Sequence, residues 1–180
     1  MAAVPVATAP AAAVPAAAGR AGPDYWRWRV GPAAPGRTVV FDLDGVLSDA
    51  VSRQHYLEGG RRDWDAFFEA CGEDPLIDEV ARVLELLDDD LRIVLLTGRP
   101  LRVQPQTVAW LERYQLRWDL LIMRPYGDYA AARLFKRRSI GELREYGMQL
   151  ELAFEDDRRN LEMFRAEGVP CVYIHSGYYD

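Results

Sequence analysis

Lysine is almost absent from this sequence: 21 of its 22 basic residues are arginines, and the single lysine is Lys136. An arginine side chain is a planar fork of hydrogen-bond donors, whereas a lysine is a compact point charge, so one does not replace the other at a demanding site. A solitary lysine must fall somewhere by chance. Lys136 therefore gains functional weight only if other chemically active residues are predicted to lie beside it.

The sequence also has no long apolar run, only two cysteines and no net positive charge. Each of these features argues against a class of protein. No apolar run approaches the roughly 20 residues that span a bilayer, so no membrane association is expected. The two cysteines, Cys71 and Cys171, have no metal-type spacing and predict buried or partly buried thiols in a reducing cytoplasm, with one disulfide left open by the sequence. The net charge of −6 argues against strong non-specific nucleic-acid binding, while allowing a local basic groove.

The chain divides into a tail, an arm and one domain. Residues 1–24 are rich in alanine and proline and predict a disordered tail without a secretory signal, which favours a cytoplasmic location. Residues 25–36 predict an arm and linker. There Trp26 and Trp28 alternate with arginines, and packing of the rings on the domain is favoured over stacking on nucleic-acid bases. The domain proper is expected over residues 37–180, with an insertion at about 48–75.

Short apolar strands alternate with helices along the domain. Strands are predicted to begin near Thr38, Leu91, Trp118, Leu150 and Pro170, and helices are predicted over 65–71, 76–88, from Pro105, over 129–146 and over 158–166. This alternation indicates an open, parallel α/β sheet of five strands. In such sheets, ligands bind beyond the carboxyl ends of the strands.

Two carboxylates follow the first strand. Asp42 and Asp44 are two residues apart, so in extended backbone they point to the same face, and Gly45 then allows a sharp turn. A solvated acidic turn would explain an isolated pair equally well. Polar residues also follow two later strands, namely Thr97, Gly98 and Arg99, and then Asp156 and Asp157.

Four carboxylates collected at one sheet edge would repel each other unless a cation lies between them. Mg²⁺ binds carboxylate, carbonyl and water oxygens, commonly together with a substrate phosphate. A threonine hydroxyl, backbone N–H groups and a lysine could hold that phosphate, and an aspartate can attack it. The pattern therefore favours Mg²⁺-assisted phosphoryl chemistry at this edge.

Four segments resemble, in order and spacing, the motifs of the haloacid dehalogenase-like (HAD) phosphohydrolases: FDLDGVL at 41–47, LTGR at 96–99, Lys136, and FEDD at 154–157. The resemblance covers the chain from about Arg37 onward. It implies a three-layer, Rossmann-like α/β fold with a parallel five-stranded sheet and a small cap insertion after the first strand.

The same resemblance implies a role for each matching residue. Asp42 is the expected nucleophile and Asp44 the expected general acid and base. Thr97, Gly98 and Lys136 are expected to bind the phosphate. Asp42, the carbonyl of Asp44, and the pair Asp156 and Asp157 are expected to hold Mg²⁺.

Within that superfamily, the chain is similar to the phosphatase half of polynucleotide kinase/phosphatases, which remove 3′-phosphates from nucleic-acid ends. The small insertion after the first motif and the segment from Glu155 to Gly177 carry this likeness. The sequence contains no GxxxxGK[ST] phosphate loop, so it carries no kinase half. The expected substrate is a phosphomonoester, either a nucleotide or a nucleic-acid end, with a general small-molecule phosphatase as the alternative.

Candidate substrate contacts are more weakly defined. They are Arg53, His55, Arg61, Arg62 and Arg99, and each could instead be a solvated surface residue. A phospho-receiver domain also uses acidic residues, a threonine and a lysine, but its acidic pair follows the first strand rather than a late one. A dehalogenase does not need Asp44, and a phosphomutase usually carries a larger cap, so hydrolysis of a phosphoester is favoured. The sequence leaves the oligomeric state undetermined.

Overall fold

A computed structural model describes residues 22–179 as a six-stranded sheet with helices on both faces. The sheet order is β1-β4-β3-β2-β5-β6, and every neighbouring pair is parallel except β1 with β4. The strands are β1 (Trp26–Trp28), β2 (Arg37–Phe41), β3 (Arg92–Pro100), β4 (Leu120–Arg124), β5 (Gln149–Glu155) and β6 (Cys171–Tyr173). The five parallel strands confirm the predicted sheet, and β1 adds an antiparallel edge strand that the sequence pattern did not predict.

Five α-helices lie within the described part of the chain, residues 22–179. They are α1 (Trp64–Glu69), α2 (Asp78–Leu86), α3 (Gln104–Arg113), α4 (Ala132–Tyr146) and α5 (Arg158–Ala166). Residues alternate between the two faces of the sheet because successive strand side chains point to opposite sides. Val39 and Phe41 join a core cluster with α2 and α3, whereas Val40 joins a second cluster with α4 and α5. The predicted three-layer architecture is therefore confirmed.

The arm packs on the domain, as favoured from the sequence. Backbone pairing of β1 with β4 sets Trp26 opposite Ile122, and the Trp26 side chain is buried. Its ring lies 5.9 Å from that of Trp28 and 5.5 Å from that of Tyr146. Trp26 is thus part of the core, and the partly buried Trp28 packs against it.

The small insertion leaves and returns at one point of the sheet edge. Ser48 pairs with Leu76 across its base, and the N–H of Asp49 donates to the carbonyl of Pro75 at 2.9 Å. Between these points lie a 3₁₀ helix (Ala50–Leu57), α1, and a second 3₁₀ helix (Ala70–Glu73). This cap stands over the carboxyl end of β2.

The order of the strands locates a binding crevice. From β2 the chain moves to β3 and β4 on one side, then crosses back to place β5 and β6 on the other side. Strand order therefore reverses between β2 and β5, and in open α/β sheets ligands bind at the carboxyl edge of that point. Asp42 follows β2, and Asp156 follows β5.

Three further predictions from the sequence can be compared with the described residues. Cys71 and Cys171 are free and buried, so they form no disulfide with each other. Among residues 22–179, no helix has the length and apolar character needed to cross a bilayer. The predicted disordered tail at 1–24 lies outside the described residues except for its last three positions.

Candidate active site

Three carboxylates and Lys136 form a buried group at the carboxyl ends of β2 and β5. The Nζ atom of Lys136, on α4, lies 2.6 Å from Oδ2 of Asp42 and 2.6 Å from Oε2 of Glu155. Carboxylate oxygens of Asp42, Glu155 and Asp156 lie within 4.8 Å of one another. Lys136 itself is 1% exposed. The only lysine of the chain thus holds two of three converging acids.

The charges of this group do not balance. Three ionised carboxylates with one ammonium leave two negative charges uncompensated. Burial raises the pKa of Asp42 above its usual range, against the opposing charge of Lys136. Burial, followed by the charge of Asp42, raises the pKa of Asp156 to about 7. Burial alone would lower the pKa of Lys136, but Asp42 and Glu155 outweigh it and raise that pKa, so the lysine stays protonated.

Asp156 is the acid whose environment is incomplete. Both of its carboxylate oxygens are buried without a hydrogen bond of ordinary geometry among residues 22–179, and only the nearby Ser176 hydroxyl acts as a donor that lowers the pKa of this carboxyl. A buried carboxylate without a partner is costly, because water no longer solvates its charge. Carboxylate oxygens are the ligands that Mg²⁺ prefers, and its two positive charges equal the deficit of the group. The residues present therefore fit a hard divalent cation, with Asp42 and Asp156 as the expected protein ligands.

Asp44 binds two buried arginines instead of Lys136. Its Oδ1 atom accepts from Nε of Arg99 at 2.9 Å and from Nη2 of Arg99 at 2.6 Å, and Arg53 donates to the same oxygen. Burial alone would raise the pKa of Asp44, but the charges of Arg99 and Arg53 outweigh it and lower the pKa to about 2. Asp44 is therefore ionised in this arrangement.

Asp74 completes this second group. Nε of Arg53 lies 2.9 Å from its Oδ1, and Nη2 of Arg99 lies 3.2 Å from its Oδ2. Arg53, Arg99 and Asp74 are each at most 1% exposed. Two carboxylates with two guanidinium groups are neutral overall. The structure thus separates a balanced group around Asp44 from the negatively charged group around Asp42.

The balanced group ties the cap to the sheet. The Ser48 hydroxyl donates to Asp74 and accepts from Arg99 at 2.7 Å. The indole N–H of Trp110 donates to the carbonyl of Asp74 at 2.7 Å. The guanidinium of Arg53 lies 4.2 Å from the centre of the Phe67 ring on α1. These contacts fix the cap at its base, next to Asp44.

Gly45 and Thr97 form two further parts of the site. Gly45 has φ of 77°, and a Cβ atom built on it would lie only 2.0 Å from Oδ2 of Asp156. Glycine is required there by both the turn and this close approach. Thr97 is buried, and its Oγ1 accepts from the N–H of Arg99 at 3.2 Å, which leaves the hydroxyl proton able to donate to a ligand.

The chain matches a known protein family over most of its length. Residues 36–179 match the family model described as the polynucleotide kinase PNKP phosphatase domain. The chain belongs to this family. No curated protein is significantly similar to the chain in sequence.

Solved structures agree with this assignment. A chain in the structure of the Pnkp1/Rnl/Hen1 RNA repair complex is 28% identical, with a TM-score of 0.65 over 77% of this PNKP-type domain and 42% of its own length. A second Pnkp1/Rnl/Hen1 complex gives 29% identity and a TM-score of 0.65, over 81% of this chain and 47% of that one. The chain therefore spans less than half the length of these two relatives.

Other solved structures show the wider fold. A HAD-fold protein described as a phosphoglycolate phosphatase from Lactobacillus plantarum is 11% identical, with a TM-score of 0.53 over 79% of this chain and 88% of its own. The HAD domain of effector protein Lem4 from Legionella pneumophila is 15% identical, with a TM-score of 0.51 over 80% of this chain and 88% of its own. At these identities the likeness concerns the fold alone. Together with the family match, it makes the chain a phosphatase domain of the HAD class.

The predicted site residues of this PNKP-type domain fall into three sets. Asp42, Lys136 and Asp156 meet at one point, and Asp44 lies beside them with its own partners. Asp157 does not join the carboxylate group. Its side chain instead caps the first turn of α5 and accepts from the backbone and side chain of Arg159 at 2.8 to 3.2 Å.

The candidate substrate contacts fall into a buried pair and three exposed residues. Arg53 and Arg99 are buried partners of Asp44, so the alternative that they are solvated surface residues is wrong. His55, Arg61 and Arg62 are exposed, and His55 contacts Ser52 and Tyr56 within the cap. The structure places none of these three in contact with the acidic group.

Two functional residues were missed at the sequence level. Glu155 directly precedes the aspartate pair within the FEDD segment, and the sequence pattern assigns it no role of its own. Its position as the last residue of β5 could have indicated that it points back into the sheet edge. Asp74 lies in the cap and carries no local pattern that would reveal its long-range contacts with Arg53 and Arg99.

Proposed function

We propose that this domain hydrolyses phosphomonoesters with Mg²⁺ through an aspartyl-phosphate on Asp42, and that it acts on a nucleotide or on the 3′-phosphate end of a nucleic acid. One observation carries the proposal: the buried carboxylate of Asp156 lies beside Asp42 without an ion-pair partner among the described residues, in a group that carries two uncompensated negative charges when its three acids are ionised. Such a site favours a divalent cation together with the phosphoryl group that the cation would neutralise.

In the first step, a carboxylate oxygen of Asp42 attacks phosphorus and the ester bond to the leaving oxygen breaks. The attacking side chain is held by Lys136 at 2.6 Å and by the N–H of Leu43 at 2.7 Å. Lys136 and the Thr97 hydroxyl stabilise the negative charge that the phosphoryl oxygens carry in the transition state. In the second step, water attacks the aspartyl-phosphate and releases inorganic phosphate.

Asp44 is the residue proposed to move the proton. In the ionised form that Arg53 and Arg99 favour, it can accept the proton of the attacking water in the second step. In the protonated form, which the two arginines disfavour, it gives its proton to the leaving oxygen in the first step, and the proton taken from water in the second step restores this form, so protons balance over each turnover. The two arginines fix the position of its carboxylate, which a proton transfer over hydrogen-bond distance requires.

The cation would be held by Asp42 and Asp156, and it would polarise the phosphoryl oxygens and reduce their repulsion by Asp42. Glu155 is engaged by Lys136 and by the Asn160 amide at 3.2 Å, so its expected role is to orient the lysine. Asp157 is proposed to support the site through the cap that it provides for α5.

The nucleic-acid part of the proposal is supported by Arg124 at the end of β4. Its Nε is buried without a hydrogen-bond partner, and the carboxylate of Asp128, whose charge acts on this guanidinium, is itself bound by Arg138. A Cβ atom built on Gly98 would lie 3.6 Å from its Nη2, which places the guanidinium against the Thr97–Gly98 segment. A guanidinium in this position is suited to a second phosphate, such as the next linkage of a strand.

The family and the Pnkp1/Rnl/Hen1 RNA repair complexes favour a nucleic-acid end over a sugar phosphate. The cytoplasm is the proposed location, because free buried thiols are typical of reducing compartments.

Phosphate release from a substrate panel tests the proposal. Wild-type protein is assayed with and without Mg²⁺ on 3′-phospho-oligonucleotides, mononucleotides and sugar phosphates, with Asp42→Asn as the inactive control. We expect Mg²⁺-dependent release with the highest kcat/KM on oligonucleotide ends. Equal or higher kcat/KM on sugar phosphates would favour a general small-molecule phosphatase, and full activity of Asp42→Asn would refute the mechanism.

A further inference from the structure

The segment after β6 folds back over the acidic group. A Cβ atom built on Gly45 would lie 2.9 Å from Cβ of Ser176 as well as 2.0 Å from Oδ2 of Asp156, so Ser176 packs against the turn that follows Asp44. Gly177, with φ of 78°, lets the chain reverse, and the N–H of Tyr178 donates to the Ser176 hydroxyl at 3.3 Å. This part of the chain therefore forms a wall of the site beside Asp156.

Two contacts hold this wall in place. The hydroxyl of Tyr178 donates to Oδ1 of Asp49, the residue that begins the first cap helix, at 2.6 Å. On the other side, the guanidinium of Arg159 lies 5.7 Å from the centre of the Tyr179 ring, and Arg159 is itself held by Asp157. The wall thus bridges the cap and α5 across the carboxyl edge of the sheet.

The ring of Tyr179 belongs to this wall, because it packs on Arg159 and directly follows Tyr178, which is bound to Asp49. Partial burial, and then the charges of Asp156 and Asp42, raise the pKa of its hydroxyl, in agreement with this position. The side chain nevertheless remains 53% exposed. A large aromatic surface that is half exposed, packs on Arg159 and belongs to the wall beside Asp156 has the properties of a stacking platform.

We propose that Tyr179 is a specificity-determining residue that stacks on the base of the terminal nucleotide, the one whose 3′-phosphate lies at Asp42. This inference rests on the proposed function, since it assumes a nucleotide substrate. Stacking is tolerant of base identity because every base has a π-face, so Tyr179 would select nucleotides over ring-free phosphoesters without reading sequence.

A second exposed tyrosine provides a matched control. Tyr129 precedes α4 and is 93% exposed, but the structure shows no contact between it and the acidic group. If solvent exposure alone allowed a tyrosine to stack on the substrate base, Tyr129 would be a better candidate than Tyr179. Anchoring beside the carboxylates is the property that distinguishes Tyr179.

The test compares Tyr179→Ala, Tyr179→Phe and Tyr129→Ala on a 3′-phospho-oligonucleotide and on acetyl phosphate, which has no ring. We expect Tyr179→Ala to lower kcat/KM on the oligonucleotide about tenfold more than on acetyl phosphate, mainly through KM. Tyr179→Phe should retain the wild-type ratio because it keeps the ring, and Tyr129→Ala should also retain it.

A binding measurement separates stacking from a structural role. A strand with 2-aminopurine as its 3′-terminal base is titrated into Asp42→Asn, with or without Tyr179→Ala, in the presence of Mg²⁺. Stacking predicts fluorescence quenching on binding that is largely lost in the double variant.

Equal losses on both substrates, unchanged quenching, or a loss specific to Tyr129→Ala would overturn the inference. If wild-type protein hydrolyses other esters but not the oligonucleotide, the proposed nucleic-acid function fails and this inference fails with it. If wild-type protein prefers the oligonucleotide and Tyr179→Ala leaves the ratio unchanged, only this inference fails.

Discussion

Replacing Asp74 by asparagine removes one negative charge from the buried group of two carboxylates and two guanidinium groups. Asp74 is 1% exposed and accepts from Arg53 at 2.7 to 3.1 Å and from Arg99 at 3.2 Å. The variant leaves both arginines buried with Asp44 as their only carboxylate partner in this group. An asparagine NH₂ would also face guanidinium donors, so part of the hydrogen bonding is replaced by repulsion.

The expected loss of stability follows from this arrangement. Removing one partner of a buried ion pair costs about 3–5 kcal/mol, because it leaves an uncompensated buried charge. In a domain of this size, each kcal/mol lowers Tm by about 2–4 °C, so Asp74→Asn should lower Tm by roughly 6–20 °C. Differential scanning calorimetry or thermal circular dichroism on the whole chain measures this directly.

The neighbouring residue supplies the control. Glu73 pairs with Arg113 at 3.2 Å, but its side chain is 83% exposed. Exposed ion pairs contribute about 1 kcal/mol or less, so Glu73→Gln should change Tm by only a few degrees. If Asp74→Asn is no more destabilising than Glu73→Gln, the description of a balanced buried group around Asp44 is wrong.

Three further variants address the site itself. Lys136→Ala should lower kcat about 10²- to 10³-fold because it removes the charge that holds Asp42 and the phosphate, whereas the exposed neighbour Arg137 can be changed to alanine with little effect. Mg²⁺ should raise the Tm of the wild-type protein; Asp156→Asn should abolish that rise, while Asp157→Asn should keep it because asparagine also caps a helix. Arg124→Ala should reduce kcat/KM about tenfold more on a 3′-phospho-oligonucleotide than on a 3′-phosphomononucleotide, which lacks the second phosphate.

Each of these three predictions has an outcome that would contradict it. A Lys136→Ala enzyme that retains normal kcat would remove the lysine from the phosphate site. Loss of the Mg²⁺ effect in Asp157→Asn but not in Asp156→Asn would exchange the roles of the two aspartates. Equal effects of Arg124→Ala on both substrates would show that Arg124 does not contact a second phosphate.

Local patterns predicted the elements that carry the site. The apolar run before Asp42 predicted β2, and similar runs predicted β3, which runs past Thr97 to Pro100, and β5, which ends directly before Asp156. Because parallel strands share their carboxyl edge, these residues could be placed together without knowing any contact. The short strand Trp26–Trp28 was not predicted, since three residues carry no period and its pairing with β4 is a tertiary contact.

Which charged residue binds which partner could not be predicted in the same way. The buried partners of Arg53 and Arg99 include Asp74, which is distant in sequence from both and contacts them where the cap packs on the sheet. The sequence also did not distinguish Asp156 from Asp157. The start of α5 at the next residue was the available signal, because an aspartate directly before a helix is typically its N-cap.

The central claim is that Asp42 carries the phosphoryl group between the two steps. Asp44→Asn assayed with p-nitrophenyl phosphate and Mg²⁺ tests it most directly, because this leaving group needs no proton while hydrolysis of the intermediate still needs the base. If Asp42 is the nucleophile, this variant gives a burst of one p-nitrophenolate per active site, slow turnover afterwards, and a phosphoryl group on Asp42 in the mass spectrum of the acid-quenched protein. A phosphoryl group on any other residue, or an Asp42→Asn variant that turns over at the wild-type rate, would contradict it.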